Sequence, residues 1–353
     1  MHRHSSHFLF AITAVFMLFG CTDTPEVFNT PQQTQPTKKP AQPTIVSRIA
    51  FGSCNKHDLP QPLWQPIISS QPDLWIWLGD IVYGDTGNMK VMQRKYQATK
   101  ANPGYQALLQ TTPVIGTWDD HDYGKNNAGK EYKKKAESQQ ELLDFLDEPA
   151  DSERRQQAGV YTAYTYGTVG KQVKVILLDT RYHRDAPGKN SDILGEQQWN
   201  WLEKEFKNSK AQINLVISSI QVLPEDHKEE KWENFPKARQ RLFDLIKKTK
   251  LSSVIFLSGD RHFAEISKMK TGSIPYPLYE ITSSGLTHSW EKLEKEPNKF
   301  RQGPFFKYLH FGLMEIDWNS KPVRVKLQIR DENNQVKLEQ KVNLSELSFT
   351  SKK

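Results

Sequence analysis

The sequence predicts an α/β fold, and three observations carry that expectation. Short apolar runs of strand length recur along its 353 residues. Stretches with helical patterning lie between many of them. Six of the runs end in a polar cluster: Cys54, Asp80, Asp119 to Asp122, Asp179 with Arg181, Ser218-Ser219, and Asp260 with His262. In α/β sheets the chemistry sits at strand ends of this kind.

Taken in order, residues 1–21 read as an export signal. Arg3 precedes the apolar run Phe8 to Phe19, which is too short for an ordinary membrane span. Leu18-Phe19-Gly20-Cys21 resembles a bacterial lipobox, although Phe19 departs from the usual small or aliphatic residue. That resemblance makes Cys21 the lipidation site and places the protein outside the cytoplasm, anchored to a membrane and facing the periplasm. Thr22 stands where Asp would signal inner-membrane retention, which points to the outer membrane. Residues 22–44 hold Pro25, Pro31, Pro36, Pro40 and Pro43 among Thr and Gln, a tether with too little apolar surface to fold.

A single catalytic domain is expected over 45–349. Ile45–Gly52 reads as a strand and a helix follows at Leu63–Ser70. Leu74–Leu78 is a continuous apolar strand of the doubly covered kind, and Gly79 allows a sharp turn into Asp80. Helices follow at Met89–Lys100 and Gln106–Gln110, a strand at Pro113–Trp118, and a charged amphipathic helix at Lys133–Leu146. Strands at Gly159–Tyr166, Val173–Leu178, Ile213–Ile217 and Val254–Leu257 come next, with helices at Glu196–Phe206 and Pro236–Lys248. Pro236 suits a first helical turn. Four later strands are expected at Leu278–Thr282, Phe311–Ile316, Val323–Ile329 and Val336–Val342.

Composition bounds the function. The chain is 37% hydrophobic with a formal net charge of +7. Basic and acidic residues are interspersed, so the charge reads first as a solubilising surface and only second as a site for an anionic partner. No nucleic-acid-binding motif is present, and no nucleic-acid partner is expected. Two cysteines, Cys21 and Cys54, make no disulfide framework.

The strand-end clusters carry the chemistry. Asp80, Asp120 and Asp260 crowded together would repel one another without a cation between them. Cys, Tyr and His suit a transition metal, whereas carboxylates suit a hard cation. Both sets are present, which permits a mixed centre. Read singly, Cys54 is equally a small buried hydrophobe and Tyr83 a packing residue. Asp85 reads as polar rim. His183, His227, His288 and His310 read as structural or surface residues.

The motifs F-G-S-C, L-G-D-I-V-Y, W-D-D-H-D followed by N-N, L-D-T-R and S-G-D-R-H, in this order, resemble the alkaline phosphatase D (PhoD-like) family of calcineurin-like metallophosphoesterases. The resemblance spans about residues 49 to 318. It implies a two-sheet sandwich flanked by helices and a phosphoric ester hydrolase using Fe³⁺ and Ca²⁺, with a bridging hydroxide or oxide as nucleophile. It further implies that Asp80 bridges the metals, that Cys54, Tyr83 and His262 bind iron, and that Asp120 and Asp260 bind the harder cation. Asn126 and Asn127 are candidates for further oxygen. His121 is implied as general acid, with Arg181 and Arg261 neutralising the phosphate. Ser218-Ser219 stands where many relatives carry a metal-binding His, a loss that fits Ca²⁺ better than Zn²⁺. The implied substrate is a phosphomonoester. A phosphodiesterase or phospholipase on the same centre is the near alternative, and a catalytically weak surface-binding lipoprotein the distant one. The preferred ester and the oligomeric state stay open.

Overall fold

A computed structural model describes residues 44–349. Cys21, the export signal and the proline-rich tether up to residue 43 lie outside the described residues. The strands are β1 (Arg48–Gly52), β2 (Leu74–Leu78), β3 (Val114–Thr117), β4 (Thr162–Tyr166), β5 (Val173–Leu177) and β6 (Ile213–Ile217). They continue as β7 (Val254–Ser258), β8 (Ala264–Met269), β9 (Leu278–Ser283), β10 (His310–Asp317), β11 (Arg324–Asp331) and β12 (Val336–Asn343). The helices are α1 (Trp64–Ser69), α2 (Met89–Lys100), α3 (Pro103–Leu109), α4 (Asp120–Tyr123), α5 (Lys135–Phe145), α6 (Gly195–Asn208) and α7 (Pro236–Thr249).

The strands form two six-stranded sheets, ordered β12-β11-β10-β1-β2-β3 and β4-β5-β6-β7-β9-β8. β1, β2 and β3 are parallel, as are β5, β6, β7 and β9. Within each sheet, the loops that follow these parallel strands therefore leave from one rim.

Side-chain alternation along β2 explains the layers. Leu74, Ile76 and Leu78 join Val175, Leu215, Val216 and Ile255 of the other sheet in one core. Trp75 and Trp77 face the other way and pack with Trp64, Tyr105 and Phe145 of α1, α3 and α5. Edge-to-face contacts order that second core, with the Trp75 and Trp77 rings 5.4 Å apart at 88°. A strand buried on both faces needs no polar alternation, which is why β2 reads as an unbroken apolar run.

Two elements were not expected. β8 carries the buried polar residues Glu265 and Ser267, which interrupt the apolar signal. Gln221 and Asn298 donate to them, and those donors come from distant segments. α4 is a single turn closed by a capping box, with Asp119 at its start and Asp122 reaching back to the Asp119 amide at 2.6 Å. α3 starts earlier than expected, because Asn102 caps it and Pro103 fits its first turn.

Candidate metal centre

The loops after β1, β2, β3 and β7 bring the expected ligands together. The backbone holds several of them in the left-handed region: Cys54 (φ 61°), Asp80 (φ 49°), Asp260 (φ 70°) and His262 (φ 53°). None is glycine, so each costs on the order of 1–3 kcal/mol of backbone strain. Gly79, at φ 103°, makes the approach to Asp80 without a side chain, and a Cβ there would lie 2.5 Å from Asp119 Cβ. The loops are clipped to one another. The Asn55 amide donates to the Asp80 carbonyl at 2.9 Å, and the Asn55 side chain donates to the Ile81 carbonyl at 3.0 Å.

Three groups of candidate ligand atoms result, each with all its atoms within 4.8 Å of one another: Cys54, Asp80 and His262; Asp80, Asp119, Asp120 and Asp260; and Asp80, Asp120 and His121. Asp80 belongs to all three. Its Oδ2 lies 3.4 Å from Cys54 Sγ and 3.4 Å from the Tyr83 hydroxyl. The Tyr83 hydroxyl is 2.9 Å from His262 Nε2. The sulfur, phenol and imidazole thus gather on one side of Asp80 and the carboxylates on the other.

The electrostatics ask for positive charge. Burial, then the neighbouring Asp120 and Asp119 carboxylates, push the Asp80 carboxyl well above its ordinary range. Burial and then Asp120 raise Asp260 to about 7. Burial also raises the Cys54 thiol and the Tyr83 phenol, and pulls His262 down to about 4, leaving its imidazole neutral. Among the described residues, Asp80 Oδ1 and Asp119 Oδ2 are buried without a hydrogen-bond partner. Buried carboxylate oxygens without donors, beside a thiol, a phenol and a neutral imidazole, fit a pair of cations.

This arrangement has a consequence for stability. Asp260 is raised in the folded chain relative to its unfolded value, so without cations its carboxyl keeps a proton in the native state that the unfolded chain releases above about pH 4. In metal-free protein the Asp260 carboxyl is therefore expected to contribute a loss of stability as pH rises toward 7, at most about 1.4 kcal/mol per pH unit. The buried neutral His227, His262, His288 and His310 contribute in the opposite sense up to about pH 6.5. Urea unfolding between pH 5 and 7.5 checks this. Metal-free Asp260→Asn is expected to show a less negative slope than the metal-free parent, and identical slopes in the two proteins would contradict the Asp260 contribution.

Several expected residues stand differently from the sequence reading. Arg181 is fully buried, and its Nε donates to Asp119 Oδ1 at 2.6 Å. Its guanidinium also pairs with Glu230, so it is an internal counter-ion and not an open phosphate clamp. Arg261 is likewise buried and paired with Glu296. Asn126 and Asn127 are exposed, and only the Asn127 backbone amide reaches the centre, donating to Asp120 Oδ2 at 2.5 Å. Asp179 is saturated by four donors, namely Trp118 Nε1 and the amides of Arg181, Tyr182 and Val160, and is structural. Ser219 donates to Asp119 Oδ1 at 2.6 Å.

Other residues join the site that the sequence reading left out. Asp85 is not idle rim: its Oδ1 lies 2.7 Å from His121 Nδ1. Asp119 enters the carboxylate group beside Asp120. His288 packs edge-on against Tyr83 and His262, with ring centroids 5.0 and 4.6 Å away. Ser284 Oγ sits 3.1 Å from Cys54 Sγ and accepts the His262 amide at 2.8 Å. His310 Nε2 accepts the Ser284 amide. The stretch from Glu280 to His288 thus braces the Cys54 loop.

Two packed sheets with a carboxylate, thiol and imidazole cluster at one rim define a metallophosphatase-type protein. The same fold appears in solved structures of PhoD (TM-score 0.66, 19% identity, covering 89% of this chain and 73% of that one) and of a purple acid phosphatase from yellow lupin (Lupinus luteus) seeds (TM-score 0.62, 15% identity, 86% and 55%). It appears again in a dimetal phosphatase from Danio rerio (TM-score 0.56, 12% identity, 85% and 99%). The chain belongs to the PhoD-like phosphatase family, whose model matches residues 49–327. It is 23% identical to alkaline phosphatase D of Bacillus subtilis (strain 168) over 63% of this chain and 46% of that protein. It therefore spans about half the length of that curated relative.

Proposed function

We propose that the protein is an exported, metal-dependent phosphoric ester hydrolase, anchored to the membrane through Cys21 and acting on phosphomonoesters with Fe³⁺ and Ca²⁺. The observation that carries the reading is Asp80, which is shared by all three candidate ligand groups. Membership of the PhoD-like phosphatase family and the likeness to alkaline phosphatase D support it.

Cys54, Tyr83 and His262 are the residues to hold iron. Asp119, Asp120 and Asp260 are those to hold calcium, with Asp80 between. When bound, the cations supply Lewis acidity toward a water and neutralise charge on the phosphoryl group. The chain's own part is positioning and proton transfer. His121 lies against the Tyr83 ring with centroids 4.1 Å apart, which limits its orientations. Burial works against its protonation, but the hydrogen bond its Nδ1–H donates to Asp85 and the charge of Asp120 prevail and raise its pKa. It thereby stays a proton donor at higher pH. In hydrolysis the water oxygen bonds to phosphorus and gives up one proton to solvent, the ester P–O bond breaks, the His121 proton passes to the leaving oxygen, and solvent returns a proton to His121.

The test uses the purified full-length protein in detergent. Iron and calcium content, a thiolate or phenolate absorption band, and hydrolysis of nitrophenyl phosphate over the bis-ester are the expected results. No turnover of either ester in the metal-loaded protein sinks the reading. Asp85→Asn is expected to lower kcat about 10–100-fold, the usual effect of removing a partner that orients a functional group. Its alkaline pH–rate limb should move to lower pH, because His121 loses the carboxylate that raises it. An unmoved limb would show Asp85 to be merely structural.

A further inference from the structure

A second polar cluster near the centre is not used by this mechanism. Arg261 lies between Asp260 and His262 in the chain and is 1% exposed. Its guanidinium sits 5.3 Å from each of the Phe263 and Trp290 rings and pairs with the Glu296 carboxylate. His227, 4% exposed, places Nδ1 4.0 Å from the same Glu296 oxygen. Among the described residues, Arg261 Nε and both His227 ring nitrogens are buried without a hydrogen-bond partner. Burial, then the positive charges of Arg261, Lys231 and Arg301, hold the His227 pKa down to about 2, so its imidazole is neutral. A buried guanidinium N–H and a buried imidazole, both without a partner, suit an oxyanion.

Glu296 comes from the surface. Its neighbours Glu294, Lys295 and Pro297 are exposed, and the segment from Leu293 to Pro297 has no regular secondary structure. A carboxylate that reaches inward from such a segment to a buried arginine stands where an incoming anion would bind.

We propose that Arg261 and His227, backed by Lys231, form a subsite for a second anionic group carried by the substrate, a phosphate or a carboxylate, and that Glu296 occupies it in the free protein. The substrate class is then an ester with an additional negative charge. That assignment rests on the hydrolase reading, whereas the anion affinity of the cluster does not.

The experiment begins with full-length protein stripped of metal and titrated calorimetrically with inorganic phosphate. Glu296→Gln is expected to bind phosphate about tenfold more tightly than the parent, because a competing charge is gone. Arg261→Met in the Glu296→Gln background should remove the gain. Equal affinity in Glu296→Gln and the parent, with both folded by circular dichroism, overturns the subsite. In metal-loaded protein, the ratio of kcat/KM for carboxyphenyl phosphate over phenyl phosphate should rise about tenfold in Glu296→Gln. An unchanged ratio overturns the assignment to substrate. Tighter phosphate binding without turnover of either ester would sink the hydrolase reading and leave the anion subsite established.

Discussion

Asp80→Asn is expected to lose bound metal and activity together. Removing even an outer partner of a metal ligand costs about 10–100-fold. Asp80 is common to every candidate ligand group, so its loss should exceed that range in kcat/KM. Metal content by elemental analysis and ester hydrolysis are the two measurements. A third reading separates loss of a ligand from loss of the fold. In metal-free protein Asp80 is pushed up by burial and by Asp120 and Asp119, so removing its charge relieves repulsion. Metal-free Asp80→Asn should therefore unfold at no lower urea concentration than metal-free parent. Full activity in this variant would refute the assignment of the centre.

Arg181→Met is expected to cost about 3–5 kcal/mol of folding stability, the usual result of stripping one member from a buried ion network. Arg181 neutralises Asp119 and Glu230 at a position with no solvent access. Arg184 still pairs with Glu230 after the change, so the uncompensated charge falls mainly on Asp119. Urea unfolding of metal-loaded protein measures the loss. An arginine serving as an open phosphate clamp would behave differently, raising KM with little change in stability. That second pattern would restore the role expected from the L-D-T-R motif.

The fold was largely legible because its strands are buried on both faces. β2, β5, β6 and β7 are buried throughout and mainly apolar in the sequence, with Lys174 in β5, Asn214 in β6 and the terminal Ser258 of β7 as the polar exceptions. Chain order then told which residues follow each strand. β8 escaped because Glu265 and Ser267 are buried by partners far away in sequence, and no local pattern announces such partners. The ion pairs of Arg181 and Arg261 escaped for a related reason. A guanidinium suits phosphate and carboxylate alike, and only packing shows that Glu230 and Glu296 arrive first.

By itself, the sequence determined the α/β class, the six strand-end clusters and the resemblance that grouped Cys54, Asp80, Tyr83, Asp120, Asp260 and His262. Those features are local: a residue type, a spacing, an apolar run. Tertiary structure decided which groups meet. Asp85 faces His121 across 36 residues, and Ser284 reaches Cys54 across 230. The first pair forms because the parallel strands β2 and β3 of one sheet end at the same rim, the second because the ends of β1 and β9, from the two packed sheets, meet there. Burial at that rim decided the rest, since it turns neighbouring carboxylates into a site that calls for cations.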